Sequence, residues 1–291
     1  MEKILDARDL ELIRQLSIQA KRRTTGLATG EQRSLARGSG IEFADYREYQ
    51  PGDDIRQVDW AVFLRMRKLM VKLCAEEKEL TLMIILDTSR SMCFGQPDKF
   101  LTSKKIAAIL AGISLYGGNR AGILTMGSHL TEAVRPERSR VSLAKVTNSI
   151  SKIEAEEKID PEGCIRQFAA RYGRRCMAVL ISDLLFPEWP QVISGLSASG
   201  CEGYVIQVLS SVELDPPYLG EVTLVDVENL EEVPLHIQDE EDSLYRLELS
   251  NYLKEIRDSC HRGRLGYFLM PTDLSVDRLF LHNLRKEGLL C

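Results

Sequence analysis

Residues 83–92 read MIILDTSRSM, and the sequence changes there from four apolar side chains to Asp87 and three hydroxyl-bearing residues. The apolar part is typical of a buried β-strand, and the polar part is typical of a loop that leaves the carboxyl end of a strand. Asp87, Ser89 and Ser91 are spaced two residues apart, so their oxygen atoms can converge on one hard cation. The stretch therefore predicts a site for Mg²⁺ or Mn²⁺ at the end of a strand.

The chain beyond this strand alternates between helical and strand patterns. Helices are predicted over 99–116, 139–153 and 162–172, and buried strands over 121–126, 177–181 and 204–209. Uninterrupted apolar strands between helices are typical of a mostly parallel sheet covered on both faces, whose ligands gather at the carboxyl ends of the strands. Asp87 and Asp183 both follow such ends. The sequence therefore predicts an α/β fold with these two carboxylates at one edge of the sheet.

The regions on either side of this core are predicted to form an N-terminal arm and a C-terminal α/β extension. Their predicted elements are a helix over 8–22, a loop over 26–40, a hairpin within 68–86 that leads into the first core strand, a helix over 243–261, a strand over 265–270 and a helix over 276–286. The predicted division of the chain is therefore 1–79, 80–210 and 211–291.

The pattern D-x-S-x-S at Asp87, Ser89 and Ser91 resembles the metal-ion-dependent adhesion site of von Willebrand factor A domains. The resemblance implies that these three residues are metal ligands and that Asp183, at the end of the strand AVLISD, is the ligand from the third loop of that site. It also implies a coordination position that is left for an acidic residue of a partner protein.

A threonine from a second loop completes the site in that family. The corresponding loop here, 158–164, reads KIDPEGC and contains no hydroxyl residue. Asp160 or Glu162 could replace the threonine as an oxygen ligand, although the added negative charge would weaken the pull of the metal on a partner carboxylate. The alternative is that the metal site is degenerate, and that Ser89 and Ser91 only cap the turn that follows them.

A second resemblance lies in residues 38–60, GSGIEFADYREYQPGDDIRQVDW, which we call the signature segment. The segment is similar to the hallmark of the bacterial family called domain of unknown function 58, in which it precedes a von Willebrand A-like core. The ending LRKEGLL at 284–290 is also similar, so the resemblance covers about residues 35–290. It implies a MoxR-type AAA+ ATPase as partner and a role in chaperone-like assembly or activation of client proteins.

The signature segment combines charges of both signs with aromatic side chains. The candidate partner-binding residues are Arg47, Tyr49, Asp53, Asp54, Arg56, Asp59 and Trp60. Two interpretations stay open for this set. It is either a rigid corner, in which the aromatic and ionic cluster braces the preceding loop against the core and Trp60 is buried, or a docking surface, where Arg, Tyr and Trp are the usual anchors.

Composition limits the classes of protein to which this chain could belong. The 291 residues are 44% hydrophobic, and the formal net charge of −5 argues against sequence-independent binding to nucleic acid. Residues 211–291 hold 8 Lys and Arg against 17 Asp and Glu, which could attract a basic protein surface. The seven cysteines are widely spaced, and neither a secretory signal nor a membrane-spanning apolar run is found. We therefore expect a reduced, cytoplasmic protein without membrane insertion.

Enzyme motifs are poorly matched. A haloacid dehalogenase needs a second aspartate two residues after its nucleophile, and Ser89 occupies that position. The chain also contains neither a phosphate-binding G-x-x-x-x-G-K-[ST] loop nor a G-x-S-x-G elbow. We therefore predict a non-enzymatic interaction module, with a metal-dependent hydrolase or a scaffold with a degenerate metal site as the alternatives.

Overall fold

The computed structural model describes residues 4–18, 41–76, 80–138, 142–217, 220–225, 232–237, 239–286 and 289–290. The chain forms two compact units, of which the larger comprises Met1–Arg23 and Leu80–Cys291, and the smaller comprises Thr24–Glu79. These units are not the same division as the predicted segments 1–79, 80–210 and 211–291, which stay a prediction about domains.

The smaller unit contains a two-stranded antiparallel sheet of β1 (Ile41–Glu48) and β2 (Met70–Glu76). Between the strands lie a 3₁₀ turn (Ile55–Gln57) and the helix α2 (Trp60–Met66). The predicted hairpin between β2 and the first core strand is wrong, because β2 pairs with β1 instead. The first core strand has its own parallel partners on both sides, so neither of its edges is open to β2.

The larger unit is built on a six-stranded sheet. Its strands are β3 (Thr81–Asp87), β4 (Arg120–Met126), β5 (Leu130–Glu137), β6 (Met177–Ser182), β7 (Glu202–Leu209) and β10 (Gly266–Pro271). Their order is β10-β7-β6-β3-β4-β5, and only the edge strand β5 runs antiparallel to its neighbour. The side chains of β3 from Leu82 to Asp87 are all buried, as expected for a central strand that is covered on both faces.

Helices cover both faces of this sheet. The described helices of the larger unit are α1 (Ala7–Gln15), α3 (Lys99–Tyr116), α4 (Ser142–Ser151), α5 (Pro161–Arg171), α6 (Trp189–Ala198), α7 (Ser211–Leu214), α8 (Asp239–Arg262) and α9 (Val276–Arg278), which runs into a π-helical turn (Leu279–Leu284). One apolar core includes residues of α1, α3 and α4, and the other includes residues of α5, α6 and α8. The predicted α/β fold, a mostly parallel sheet flanked by helices, is confirmed.

Two peripheral regions complete the description. The helix predicted over 8–22 ends at Gln15, and its predicted part over 19–22, like the predicted loop over 26–40, lies outside the described residues. The acidic segment that begins at Glu213 contains the antiparallel strands β8 (Gly220–Val225) and β9 (Glu232–Ile237). Among the described residues, no helix is both long enough and apolar enough to cross a membrane.

Candidate functional site

The candidate site lies where the neighbouring parallel strands β3 and β6 end. Asp87 is the last residue of β3 and is fully buried. One of its carboxylate oxygens accepts a hydrogen bond of 2.8 Å from the backbone N–H of Ser89, and the other accepts one of 2.5 Å from the hydroxyl of Ser182. The Asp87 carboxylate therefore connects the first turn of the D-x-S-x-S loop, at the end of β3, to Ser182 at the end of β6.

Burial, followed by the negative charge of Asp183, raises the pKa of Asp87 to about 7, while hydrogen bonds from Ser182 and Ser89 oppose the shift. Asp183 directly follows Ser182, whose hydroxyl contacts Asp87, so the two carboxyl groups lie at the same strand ends. A cation bound beside Asp87 would favour the ionised form of this carboxyl group.

Ser89 and Ser91 lie beside this pair, and their hydroxyl oxygens are 3.0 Å apart. Adjacent ligands of an octahedral Mg²⁺, which binds oxygen at about 2.1 Å, are separated by about 3 Å, so the two hydroxyls are spaced as neighbouring ligands would be. Within the described ranges, no three His, Cys, Asp or Glu side chains converge as a metal-binding group. A metal at this site would therefore depend on the serine hydroxyls, and the donor set of Asp87, Ser89, Ser91 and Asp183 fits a hard cation.

Asp183 is held by a sharp turn at the end of β6. Its side chain accepts a hydrogen bond from the backbone N–H of Leu185, and the Ser182 hydroxyl accepts one from the N–H of Leu184. Leu184 has φ of 56°, a left-handed conformation that is costly for a leucine. Such strain persists only where the surroundings enforce it, and here it accompanies the fixed placement of Asp183.

Lys99, the first residue of α3, contacts the site directly. Its ammonium lies 2.7 Å from a carboxylate oxygen of Asp183 and 2.6 Å from one of Glu213, and the lysine side chain is completely buried. Glu213 is fixed by a capping box at the start of α7, in which Ser210 and Glu213 exchange side-chain to backbone hydrogen bonds. Two acidic side chains from different elements thus share one buried cation.

Sequence reasoning missed Lys99 and Glu213, although both carried a local signal. Lys99 opens a strongly apolar helix directly after the N-cap residue Asp98. Ser210 and Glu213 have the S-x-x-E spacing of a capping box at the end of a buried strand. Neither signal shows that the two side chains meet, because 114 residues separate them in sequence.

The structure places the two candidate replacements for threonine at the start of α5. Asp160 is the N-cap of this helix and accepts a hydrogen bond from the N–H of Gly163, while Glu162 lies 3.2 Å from Arg166 in an ion pair. Glu156, which sequence reasoning did not single out, approaches the D-x-S-x-S loop instead. Its N–H donates to the carbonyl of Thr88, and its carboxylate accepts from Ser128.

The charged residues of the signature segment hold the backbone of the smaller unit together. Arg47 pairs with Asp53 at 2.9 Å, Asp54 caps the 3₁₀ turn by accepting from the N–H of Arg56, and Asp59 caps α2. The hydroxyl of Tyr46 also donates to Asp59, at 2.7 Å. These acidic groups therefore have local structural roles.

Trp60 does not have the buried position that the brace hypothesis requires, because its side chain is 54% exposed. Leu64, one helical turn later, is 71% exposed, and no described side chain of α2 is buried. The interpretation of Trp60 as a buried brace is therefore wrong. Its aromatic ring packs edge-on against Phe63 with centroids 6.1 Å apart.

The fold and the D-x-S-x-S loop at its strand ends define a von Willebrand factor A-like protein. Residues 45–254 match the family described as "Protein of unknown function DUF58", and the chain belongs to that family, as the signature segment predicts. The uncharacterized protein Mb1516 of Mycobacterium bovis is 30% identical over 223 residues, which is 75% of this chain and 70% of that protein.

Several solved structures are similar to this chain at low sequence identity, among them the following two. BatB from Bacteroides thetaiotaomicron is 13% identical, with a TM-score of 0.45 over 71% of this chain and 98% of its own. A von Willebrand factor type A protein from Catenulispora acidiphila is 14% identical, with a TM-score of 0.35 over 48% of this chain and 35% of its own.

Proposed function

We propose that the protein is a cytoplasmic, non-enzymatic interaction module that acts with a MoxR-type AAA+ ATPase in the assembly or activation of client proteins. The observation that carries this proposal is the apolar surface of α2, which lies inside the signature segment and its immediate continuation. Five large apolar side chains of this region are between 39% and 71% exposed: Ile55, Trp60, Leu64, Met66 and Leu69. Exposed apolar side chains at this density are typical of a surface that binds another protein.

The chemistry of α2 indicates the kind of surface that would bind it. Trp60 and Leu64 are four residues apart and therefore lie on the same side of the helix. Arg65, Arg67 and Lys68 follow them closely in sequence. Tryptophan and arginine are the most common anchors of protein interfaces, and cationic neighbours favour an acidic partner surface. We therefore assign ATPase docking to the exposed apolar side chains of α2, Trp60, Leu64 and Met66, which we call the α2 surface.

The strand-end site is the second element of the proposal. Asp87, Ser89, Ser91 and Asp183 would hold Mg²⁺ or Mn²⁺, and the bound ion would offer a coordination position to a carboxylate of the client protein. The protein's own contribution is to fix the oxygen donors. The turn at Asp87 sets the direction of the serine loop, and the turn after β6 sets that of Asp183.

A catalytic role receives less support from the geometry. Asp87 is fully buried, and both of its carboxylate oxygens already accept hydrogen bonds, from Ser89 and Ser182. Each oxygen keeps a further lone pair that a small cation could use, but a substrate would have to reach a carboxyl group that has no exposure to solvent. We therefore infer that Asp87 organises a loop and does not attack a substrate.

A pull-down with the MoxR-type ATPase encoded in the same genome tests the docking assignment. Leu64→Ser should abolish retention of the ATPase while leaving the melting temperature unchanged, because Leu64 is mostly exposed. Leu247→Ser is the matched control, since Leu247 is 57% exposed on α8, and this variant should retain the ATPase. Equal retention by both variants would contradict docking at α2.

A further inference from the structure

Lys99 occupies a position that is unfavourable for a cation. It is the first residue of an 18-residue helix, whose N-terminus carries partial positive charge, and its side chain has no exposure to solvent. Burial of an ammonium group is costly unless it is paired and hydrogen-bonded. A leucine or methionine at this position would avoid both costs. The presence of lysine therefore calls for an explanation in the groups that surround it.

Those groups carry more negative charge than Lys99 neutralises. Asp183 and Glu213 contact its ammonium at 2.7 and 2.6 Å, and Asp87 lies close enough to Asp183 for their charges to interact. Two carboxylates thus share one ammonium, and Asp87 is a further carboxyl group at the same strand ends. The lysine and a bound divalent ion would draw on the same carboxylate of Asp183, so the two cations are competitors for it.

We propose that Lys99 is a built-in competitor of the divalent cation at the strand-end site, and that Glu213 sets the strength of this competition. When a cation takes Asp183, the ammonium keeps Glu213 as its partner. Without the charge of Glu213, the ammonium would depend on Asp183 alone and would give it up less readily. The inference rests on the cation-binding part of the proposed function and is independent of ATPase docking.

Binding of cations at this site is thereby linked to the C-terminal part of the chain. Glu213 belongs to α7, and its carbonyl accepts a hydrogen bond of 2.6 Å from the hydroxyl of Tyr245 on α8. A change in how Lys99 is shared between Asp183 and Glu213 therefore acts on the start of the acidic segment.

Titration of the purified protein with Mn²⁺ tests the proposal, with calorimetry as the readout. Lys99→Met removes the charge but keeps an unbranched side chain, and it should bind Mn²⁺ at least about tenfold more tightly than wild type, because a nearby positive charge is lost. Glu213→Gln should change the affinity in the opposite direction. Lys105→Met is the matched control on the same helix, where Lys105 pairs with Asp6 and Asp9, and it should bind as wild type does.

Thermal unfolding gives a second readout. If Lys99 had only a structural role, Mn²⁺ would raise the melting temperature of Lys99→Met and of wild type by the same amount. Without metal, Lys99→Met should melt at a lower temperature than wild type, because Asp183 and Glu213 lose their counter-ion. Added Mn²⁺ should then raise its melting temperature more than it raises that of wild type. The variant Glu213→Gln keeps the test open if Lys99→Met does not fold.

The outcomes separate this inference from the proposed function. Equal Mn²⁺ affinity of Lys99→Met and wild type, tighter binding by Glu213→Gln, or no binding by any variant at millimolar Mn²⁺ would each overturn it. Binding that is lost in the double variant Ser89→Ala/Ser91→Ala but is the same with and without Lys99 would leave the cation site standing and remove only the role of the lysine. ATPase docking through the α2 surface is measured separately.

Discussion

Asp87 is a candidate metal ligand, yet it is as buried as a core residue. Its carboxyl group is buried at the end of β3, next to Asp183, and its pKa is raised from the ordinary value to about 7, chiefly by burial. The two hydrogen bonds from Ser89 and Ser182 orient the carboxyl group. Asp87 is thus both the last residue of the core strand β3 and the first residue of the candidate metal site.

The free energy of unfolding should therefore fall as the pH rises from about 4 to 7 in the presence of a chelator. In this window the unfolded chain has Asp87 ionised while the folded chain keeps it protonated, so the folded state binds one more proton. Asp87→Asn should remove this contribution. Denaturant melts of both proteins at several pH values measure the difference, and identical pH dependence would show that Asp87 is ionised throughout.

Helices α1 and α2 differ in how they contribute to stability. Ile13 on α1 is fully buried in the core that also contains α3, and α3 accommodates it with Gly112, where a Cβ would lie 2.6 Å from the Ile13 side chain. Trp60 on α2 is more than half exposed. The pattern of the signature segment suggested a buried brace at Trp60, but the tryptophan is not buried.

Ile13→Ala should lower the free energy of unfolding by about 2–5 kcal/mol, because it leaves a cavity in a packed core. Trp60→Ala should cost less than about 1 kcal/mol, since little apolar surface is buried with it. Urea denaturation of both variants checks the contrast. A loss for Trp60→Ala as large as that for Ile13→Ala would restore the brace, whereas a stable variant that fails to retain the ATPase would support the docking surface.

At the scale of the whole molecule, the proposed roles fall on the two compact units. The family signature and the α2 surface belong to the smaller unit, and the strand-end site with Lys99 belongs to the larger one. A module that joins an ATPase to a client protein needs two binding surfaces that can be changed separately. Substitutions in one unit should therefore leave the function of the other intact.

The purified protein should show no metal-dependent cleavage of phosphoesters or nucleotides. The reasons are that Asp87 has no exposure to solvent from which to attack a substrate, and that the sequence contains no phosphate-binding G-x-x-x-x-G-K-[ST] loop. A colorimetric phosphate assay with Mg²⁺ and with Mn²⁺ measures this. Cleavage that disappears in Asp87→Asn would favour the hydrolase alternative, while cleavage that persists in that variant would point to a contaminating enzyme.

The sequence by itself determined the fold class and the family. Continuous apolar strands such as 83–86 can be buried only in a sheet covered on both faces, and the pattern of the signature segment is specific enough to identify the family. Sequence also placed Asp87 and Asp183 at strand ends, because parallel strands align their carboxyl ends. These are local properties, or follow from one general rule of topology.

Only the tertiary structure decided which charges meet. Lys99 and Glu213 are far apart in sequence, and their contact depends on how α3 and α7 are placed at the ends of β6 and β7. The same holds for the pairing of β2 with β1 and for the exposure of Trp60. The local sequence of a strand does not specify which strand pairs with it, and the sequence around a tryptophan does not specify whether another segment covers it. Local sequence sets what each segment can form, whereas packing between distant segments determines which side chains lose their contact with water.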